Sequence, residues 1–409
     1  MTHVLRAWSI GLALSLAGIV CGCGSGQGDP QPAKPAPDTS KSKPEGVSSP
    51  APEKPSRWKH QESLDRAVRY LLDTQRENGA WGQVGPRKPI SGLYIGGVNT
   101  LLVWVNASSG LCCMAMLMQP SSDEIDAAVL KGYRYLIDAP DTPRTDMGTF
   151  YNVWSNAYVL QALARGMKDD RLKELHPAMK KRGEHELRRL LMHQSLDGGW
   201  GYFDFDERML QPSGKGSVTV TTAAVMVALK DAREAGFSIR DDRVMSGVRN
   251  LSRIRFANGA YGYSSGHKYA PRSDANYIRG SLGRSQAGNN ALYVWNHEVD
   301  LKDIDWGLQN FFAEHEFIEI GRQRQFPHEA WYATAPYYYY YGHFYASRNI
   351  ALIEGEKRLD YAEELAELVA KTQGDEGCFW DYAMYGVTKA YGTGYGVMIL
   401  SNCRRMLEE

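Results

Sequence analysis

Three carboxylates lie close together in one short segment of the chain, Asp204, Asp206 and Glu207. Phe205 separates the two aspartates, so both can face the same side of a loop. Paired carboxylates act as acid and base in glycoside cleavage. A cluster of this kind is more commonly a solvated loop or a cation contact. The segment therefore gives three weak catalytic candidates.

Tyrosine is unusually abundant, with 24 tyrosines against 11 phenylalanines, and five consecutive tyrosines end at Tyr341. On a helix, Tyr338, Tyr341 and Tyr345 share one face. If that face lines a cavity, its rings and hydroxyls suit a sugar, a peptide aromatic or an isoprenoid. The alternative is that the rings fill a wide core. Trp154 and Tyr391, on two other apolar segments, are predicted to face the tyrosines and complete a ligand-binding site.

The elements that position these residues follow from a repeated signature. A glutamine or arginine is followed by a glycine four residues later and an aromatic residue six residues later, in Gln75-Gly79-Trp81, Gln194-Gly198-Trp200, Arg255-Gly259-Tyr261 and Gln373-Gly377-Phe379. The four copies are one or two units of about 60 residues apart, so six units fit the chain, two of them degenerate. Glycine permits a turn, and glutamine can bond free backbone groups at a helix end. The signature is therefore predicted to be structural.

Each unit contains two different kinds of helix. Its first half is amphipathic, as Leu64, Ala67 and Leu71 show at helical spacing. Its second half is apolar nearly all round, in residues 101–117, 153–164, 218–229, 287–295, 337–352 and 390–400. A helix without a polar face must be buried on all sides. The sequence therefore predicts an all-α fold: a closed (α/α)6 toroid of six helical hairpins, with apolar helices inside and a central cavity at one end.

The signature resembles the glutamine-tryptophan repeat of the prenyltransferase and squalene-cyclase family, over roughly residues 60–405. The resemblance implies the toroidal fold. Family cyclases that protonate their substrate use an Asp-x-Asp-Asp motif, and the nearest match, Asp204-Phe205-Asp206-Glu207, ends in glutamate. Family members that bind zinc use Asp-x-Cys with a distant histidine, which is lacking near Ala287 and Ala390. A terpenoid cyclase is therefore the least favoured enzyme, and neither a metal nor another cofactor is predicted.

The N-terminus is predicted to direct export. Arg6 precedes an apolar stretch at residues 7–20, which is too short to span a bilayer well. The next residues resemble the lipidation site of bacterial lipoproteins, where Cys23 after a glycine fits better than Cys21 after a valine. The alternative is an ordinary secretory signal. We expect a signal peptide at 1–22, a linker rich in proline, serine and lysine at 23–56, and the toroid at 57–409.

These features predict an exported protein held to a membrane of the cell envelope by a lipid, on the periplasmic or the cell-surface side. Lysine plus arginine and aspartate plus glutamate are equal at 47 each, so nothing in the charge favours nucleic acid. Two functions are favoured over a terpenoid cyclase. The first is binding of a glycan, peptide or isoprenoid in an aromatic central cavity. The second is an envelope polysaccharide lyase or hydrolase that uses the carboxylates at 204–207.

Overall fold

A computed structural model describes residues 56–82, 98–143, 151–202, 216–270, 272–326, 328–382 and 385–409. Within these ranges the chain forms thirteen α-helices, several short 3-10 turns and no strand beyond two isolated bridges. Cys21, Cys23 and the predicted linker up to residue 55 lie outside the described residues. The three carboxylates at 204, 206 and 207 lie outside them as well.

Six helices form the inner layer and six form the outer layer. The inner helices are α2 Val98–Leu117, α4 Asn152–Gly166, α6 Thr219–Glu234, α8 Ile278–Val294, α11 Tyr339–Ile350 and α13 Tyr385–Glu408. The outer helices are α1 Gln61–Thr74, α3 Asp123–Asp138, α5 His176–Met192, α7 Asp241–Ile254, α9 Leu301–Ala313 and α12 Glu356–Ala370. A short helix, α10 Glu316–Glu319, follows α9.

The inner helices close into a ring. Each contacts the next in chain order, and α13 packs back against α2. Outer helices pack against the inner layer; α3, for example, contacts both α2 and α4. Every hairpin begins with an outer helix and continues with an inner helix. The N-termini of all six inner helices therefore lie at the same end of the ring. The predicted (α/α)6 toroid is confirmed.

Helix α2 is the most apolar helix among the described residues. Residues Thr100–Leu117 are long and apolar enough to cross a membrane by length and composition, but 83% of this window is buried inside the protein. Burial on all sides is what the inner layer of a toroid requires of a helix without a polar face.

The signature glutamines tie each turn to the next outer helix. Gln194 Nε2 donates to the carbonyl oxygen of Gly198 at 2.7 Å and to that of Arg243 on α7 at 2.9 Å. Gln75 makes the same pair of bonds, reaching α3, and Gln373 reaches Ser63 on α1 at 2.8 Å. The last bond joins the final unit to the first. These contacts support the structural role that the sequence predicts for the glutamines.

The signature aromatic residues are buried beneath the turns and stabilise them. Trp200 is fully buried, and its indole N–H donates to the carbonyl oxygen of Leu190 at 2.7 Å. A side chain at Gly247 on α7 would collide with the Trp200 ring, which explains the glycine there. Gly198 has a φ of +94°, in the left-handed region that favours glycine. The turn therefore needs both residues of the signature.

Candidate functional site

Aromatic side chains collect at the end of the ring where the inner helices begin. Trp154 lies in the first turn of α4, Tyr338 immediately precedes α11, and Tyr391 lies in the second turn of α13. All three are buried, with at most 2% of the side chain exposed. We call this group of rings, with those described next, the aromatic cluster.

The structure brings together all five predicted ligand-binding residues. The ring of Trp154 lies 6.0 Å from that of Tyr341 and 6.2 Å from that of Tyr391. Tyr341 in turn lies 4.8 Å from Tyr345 and 6.4 Å from Tyr338. Tyr341 and Tyr345 are fully buried. The helical face predicted from the tyrosine spacing therefore points into the ring.

More than half of the cluster was not predicted from the sequence. Trp104 on α2 contacts both Trp154 and Tyr391, and Tyr151 contacts Trp154. The other additions are Tyr158, Tyr202, Tyr263, Tyr337, Tyr382 and Tyr395. Tyr202 and Tyr263 each follow a signature aromatic by two residues. That spacing is a signal in the sequence that could have found them.

Polar groups inside the cluster fall into two classes. The hydroxyl of Tyr202 bonds those of Tyr263 at 3.0 Å and Tyr338 at 2.7 Å, which forms a chain of three phenols. The indole N–H groups of Trp104 and Trp154, by contrast, have no partner in the part of the chain that the structure describes. Buried donors are normally paired, and an unpaired one costs about 1–3 kcal/mol. A polar ligand atom at either position would satisfy the donor.

Arg284, on α8, brings a buried positive charge to the phenol chain. Its side chain is 2% exposed and donates to the carbonyl oxygens of Tyr261 and Ala275. The guanidinium carbon lies 5.6 Å from the centre of the Tyr263 ring. No carboxylate among the described residues lies within ion-pair distance of Arg284. Burial lowers the pKa of Arg284 from its ordinary value.

Two histidines border the same region, and in both the surroundings disfavour the charged form of the ring. Burial is the main cause that lowers the pKa of His267 and of His328, and the charge of Arg284 lowers both further. Both rings contact Tyr263, at 5.2 and 5.6 Å between centres. Arg284 is therefore the main source of positive charge that the described residues place beside the phenol chain.

Asp381 is a buried carboxyl group at the edge of the cluster. It is fully buried and directly precedes Tyr382, and its Oδ2 accepts from the backbone N–H of Tyr340 at 3.4 Å. Its Oδ1 has no hydrogen-bond partner in the described ranges. Burial raises the pKa of Asp381 to about 8. Burial therefore favours the protonated form of this carboxyl, which is the form that can donate a proton.

A protonated buried carboxyl makes stability depend on pH. Because the folded pKa of Asp381 lies above that of the unfolded chain, the folded state binds more protons between about pH 4 and 8, and stability falls as the pH rises through that window. Replacing Asp381 with asparagine keeps the acceptor and removes the ionisation. A pKa raised by roughly four units corresponds to about 5 kcal/mol, so we expect Asp381→Asn to raise the free energy of unfolding at pH 8 by an amount of that order, measured by urea denaturation.

The matched control for this prediction is Asp375→Asn, six residues earlier at an exposed position. Substitutions at exposed sites usually change stability by less than about 0.5 kcal/mol. The difference in stability between Asp381→Asn and the parent protein should vanish near pH 4. An equal difference at pH 4 and pH 8 would show that Asp381 does not hold a proton in the folded state.

Backbone strain is concentrated near the same end of the ring. Tyr151, directly before α4, has a φ of +65°, and Tyr332 and His328 have values of +60° and +66°. Residues other than glycine adopt this region at a cost of order 1–3 kcal/mol, and such strain persists mainly at functional sites. The strain gives an independent reason to assign function to this end.

His343, which lies within the tyrosine-rich helix, faces away from the cluster. Its Nδ1–H donates to the carbonyl oxygen of Tyr339 at 2.7 Å, and its Nε2 accepts from His315 at 2.9 Å. Its ring also contacts Phe311 on α9, at 4.9 Å between centres. These contacts are those of a satisfied core histidine.

One group of possible metal ligands occurs among the described residues, Asp141, His185 and Glu186. Arg182 forms ion pairs with Asp141 at 3.2 Å and with Glu186 at 2.5 Å. The Arg182 guanidinium therefore already supplies the positive charge that these carboxylates would attract. The group is best explained as an ion-pair network between α5 and Asp141.

Comparison with known proteins supports the fold. No family model matches the chain, and no curated protein is a significant match. Among solved structures, cellobiose 2-epimerase from Spirochaeta thermophila is 13% identical, with a TM-score of 0.54 over 86% of this chain and 99% of that one. The type II terpene cyclase MstE from Scytonema, in complex with merosterolic acid A, is 15% identical, with a TM-score of 0.51 over 85% of this chain and 97% of that one.

A second structure of the same cyclase, with geranylgeranyl dihydroxybenzoate bound, is 14% identical to this chain, with a TM-score of 0.50 over 84% of this chain and 97% of that one. At these identities the comparisons establish an α/α toroid and nothing finer. Proteins of this architecture act on sugars in one case and on terpenoids in the other. The fold is therefore compatible with ligand binding. The class of ligand has to be inferred from the side chains of this chain.

Proposed function

We propose that the protein binds an amphipathic ligand in the aromatic cluster, with an apolar body against the rings and an anionic head group at Arg284. The observation that carries this proposal is the buried guanidinium of Arg284, which has no counter-ion among the described residues. Removing a charge from water costs several kcal/mol unless an opposite charge is present. A ligand that carries a negative charge would supply it.

The arrangement of helices supports an anionic head group at this end. Each helix N-terminus carries a partial positive charge from its unpaired N–H groups. All six inner helices start here, and the pairing of Arg284 with peptide carbonyls and the Tyr263 ring offsets only part of its charge. Both contributions favour an anion over a neutral or cationic ligand.

The charge near the phenol chain favours a monoanion, such as a carboxylate. Arg284 provides one positive charge, and the neighbouring His267 and His328 have lowered pKa values. The rings of Trp154, Tyr341 and Tyr391 pack closely against one another. The hydroxyls of Tyr341 and Tyr391 already donate to the carbonyl oxygens of Val220 and Tyr337, so few are left for a sugar. Of the three ligand classes that the sequence leaves open, we therefore favour an isoprenoid, in the form of an acid.

Farnesoic acid and farnesol form a matched pair of probes, since they share a chain and differ in the charge of the head group. Calorimetric titration at neutral pH is expected to give an affinity for the acid at least about tenfold higher than for the alcohol. Equal affinities would contradict the role of Arg284. Binding of neither compound would contradict the proposed ligand class.

A second candidate function is acid catalysis on the same ligand, and the protonated carboxyl of Asp381 favours it. A neutral carboxyl next to a ring-lined site can donate a proton to an unsaturated or ether group. Turnover that disappears in Asp381→Asn while ligand affinity is unchanged would support this function. The polysaccharide lyase or hydrolase predicted from Asp204, Asp206 and Glu207 stays a prediction.

We further propose that the protein acts outside the cytoplasm, attached through a lipid on Cys23. The support is the sequence pattern of residues 6–23 and the proline-rich stretch that follows. In cells fed a radioactive or alkyne-labelled fatty acid, Cys23→Ser is expected to abolish labelling and Cys21→Ser to preserve it. Labelling lost only in Cys21→Ser would assign the lipid to Cys21. Labelling kept in both variants would contradict the assignment to Cys23, and no labelling of the parent protein would exclude the anchor.

A further inference from the structure

A second concave site lies on the outside of the ring, separate from the aromatic cluster. Its volume is about 540 Å³. Three segments form its walls: the signature turn that contains Asp197, the end of α7 with Asn250 and Arg253, and the 3-10 turn Ser265–Tyr269. His267, in the middle of that turn, faces Tyr263 of the aromatic cluster and does not line the cavity. The residues that do line the cavity contribute nothing to the aromatic cluster.

The interior of this cavity is polar and preorganised. The Asp197 carboxylate accepts hydrogen bonds from the hydroxyls of Ser217 and Ser265, at 2.5 and 2.7 Å. The amide of Asn250 donates to the backbone oxygen of Asp197 at 3.1 Å and to Ser217 at 3.0 Å. Its Oδ1 has no partner among the described residues, although Asn250 is 1% exposed. An unpaired acceptor this deeply buried is uncommon in a purely structural network.

Two cations on the cavity wall have no carboxylate partner in the described ranges. Arg253 donates to the backbone oxygen of Asp197, and Lys268 forms no ion pair with a described residue. Asp197 supplies the one carboxylate among the lining residues, and two serine hydroxyls already occupy it. The cavity therefore has a net positive charge.

Tyr269 completes the wall with an aromatic ring that is 89% exposed. A ring that exposed gains little from packing against its own protein. The face of an aromatic ring carries partial negative charge, so it attracts polarised C–H groups such as those on one side of a sugar. One ligand type would satisfy all of these groups. It would stack on Tyr269, place hydroxyls at Asn250 and Asp197, and pair a negative charge with Arg253 and Lys268.

From this combination we infer that the cavity binds an acidic sugar residue of a polysaccharide, with its carboxylate at Arg253 and Lys268 and its ring on Tyr269. This inference is independent of the proposed isoprenoid site, since no residue is shared. A protein that binds a small ligand inside the ring would use this outer site to hold itself on an anionic glycan.

The probe for this inference is trigalacturonic acid, with its methyl ester as the matched neutral control. Titration of the purified full-length protein is expected to show binding of the acid and at least about tenfold weaker binding of the ester. Tyr269→Ala and Arg253→Gln should each weaken binding of the acid about tenfold or more. Trp331→Ala removes another exposed ring, outside the cavity, and should change the affinity less than about twofold.

Thermal unfolding of each variant confirms that the fold is intact before affinities are compared. Absence of any binding of the acid would overturn the inference. Equal binding of acid and ester would overturn the charge pairing, and an effect of Trp331→Ala as large as that of Tyr269→Ala would place the sugar elsewhere. Farnesoic acid binding should be unaffected by Tyr269→Ala, which separates failure of this site from failure of the inner one.

Discussion

Replacing Trp200 with alanine is expected to lower the free energy of unfolding by about 3–5 kcal/mol. The indole is fully buried, packs against Gly247 on α7, and donates to the carbonyl oxygen of Leu190. The substitution would leave a large cavity between two outer helices and an unpaired carbonyl at the end of α5. Urea denaturation followed by circular dichroism measures the effect.

Trp331→Ala provides the control for size and chemistry, because that tryptophan is 71% exposed. Its loss should change the free energy of unfolding by less than about 0.5 kcal/mol. Similar costs for the two substitutions would mean that the signature aromatic does not hold the hairpins together. The repeat would then lack the structural role from which the fold was derived.

Replacing Arg284 with glutamine is expected to have two effects of opposite sign. Affinity for farnesoic acid should fall about 30-fold or more, because a charge-assisted bond to the ligand is lost. The ligand-free protein should become more stable, because an unpaired buried charge is removed. Calorimetric titration and thermal unfolding of the same preparation measure both effects.

Arg165→Gln is the matched control, because Arg165 is also on an inner helix but is paired with Asp231 at 2.9 Å. Removing it takes the nearest cation from a buried carboxylate and leaves Arg348 at 3.9 Å and the amide of Gln161, so stability should fall. Farnesoic acid affinity should be largely retained. If Arg284→Gln instead destabilises the protein as Arg165→Gln does and leaves affinity unchanged, Arg284 is a structural residue.

The fold was predictable because it depends on periodicity, which a sequence displays directly. The repeat unit, the two kinds of helix and the closed ring all followed from apolar spacing and the signature. The start of α8 was missed, since the predicted apolar segment began nine residues later, at Ala287. A side chain at Gly342 would meet the backbone of Gly283 at 2.7 Å, so these helices approach through glycine, which apolar patterning does not detect.

The candidate site was only partly predictable, for a different physical reason. Ring residues on one helical face follow from spacing, so Tyr338, Tyr341 and Tyr345 were found. The importance of Arg284 and Asp381 depends on what surrounds them: one is a cation without a counter-ion among the described residues, and the other is a carboxyl forced to stay neutral. Such properties arise only when distant segments meet, and a single sequence does not display them.

A ligand site inside the ring is tested most directly by mapping where an amphipathic anion binds. A benzophenone-bearing analogue of farnesoic acid would be photo-crosslinked to the protein, and the labelled peptides identified by mass spectrometry. If the ligand binds inside the ring, the labels should lie on α4, α11 and α13, near Trp154, Tyr341 and Tyr391, and excess farnesoic acid should displace them. Labels confined to the outer helices, or labels that the acid does not displace, would contradict a ligand site inside the ring.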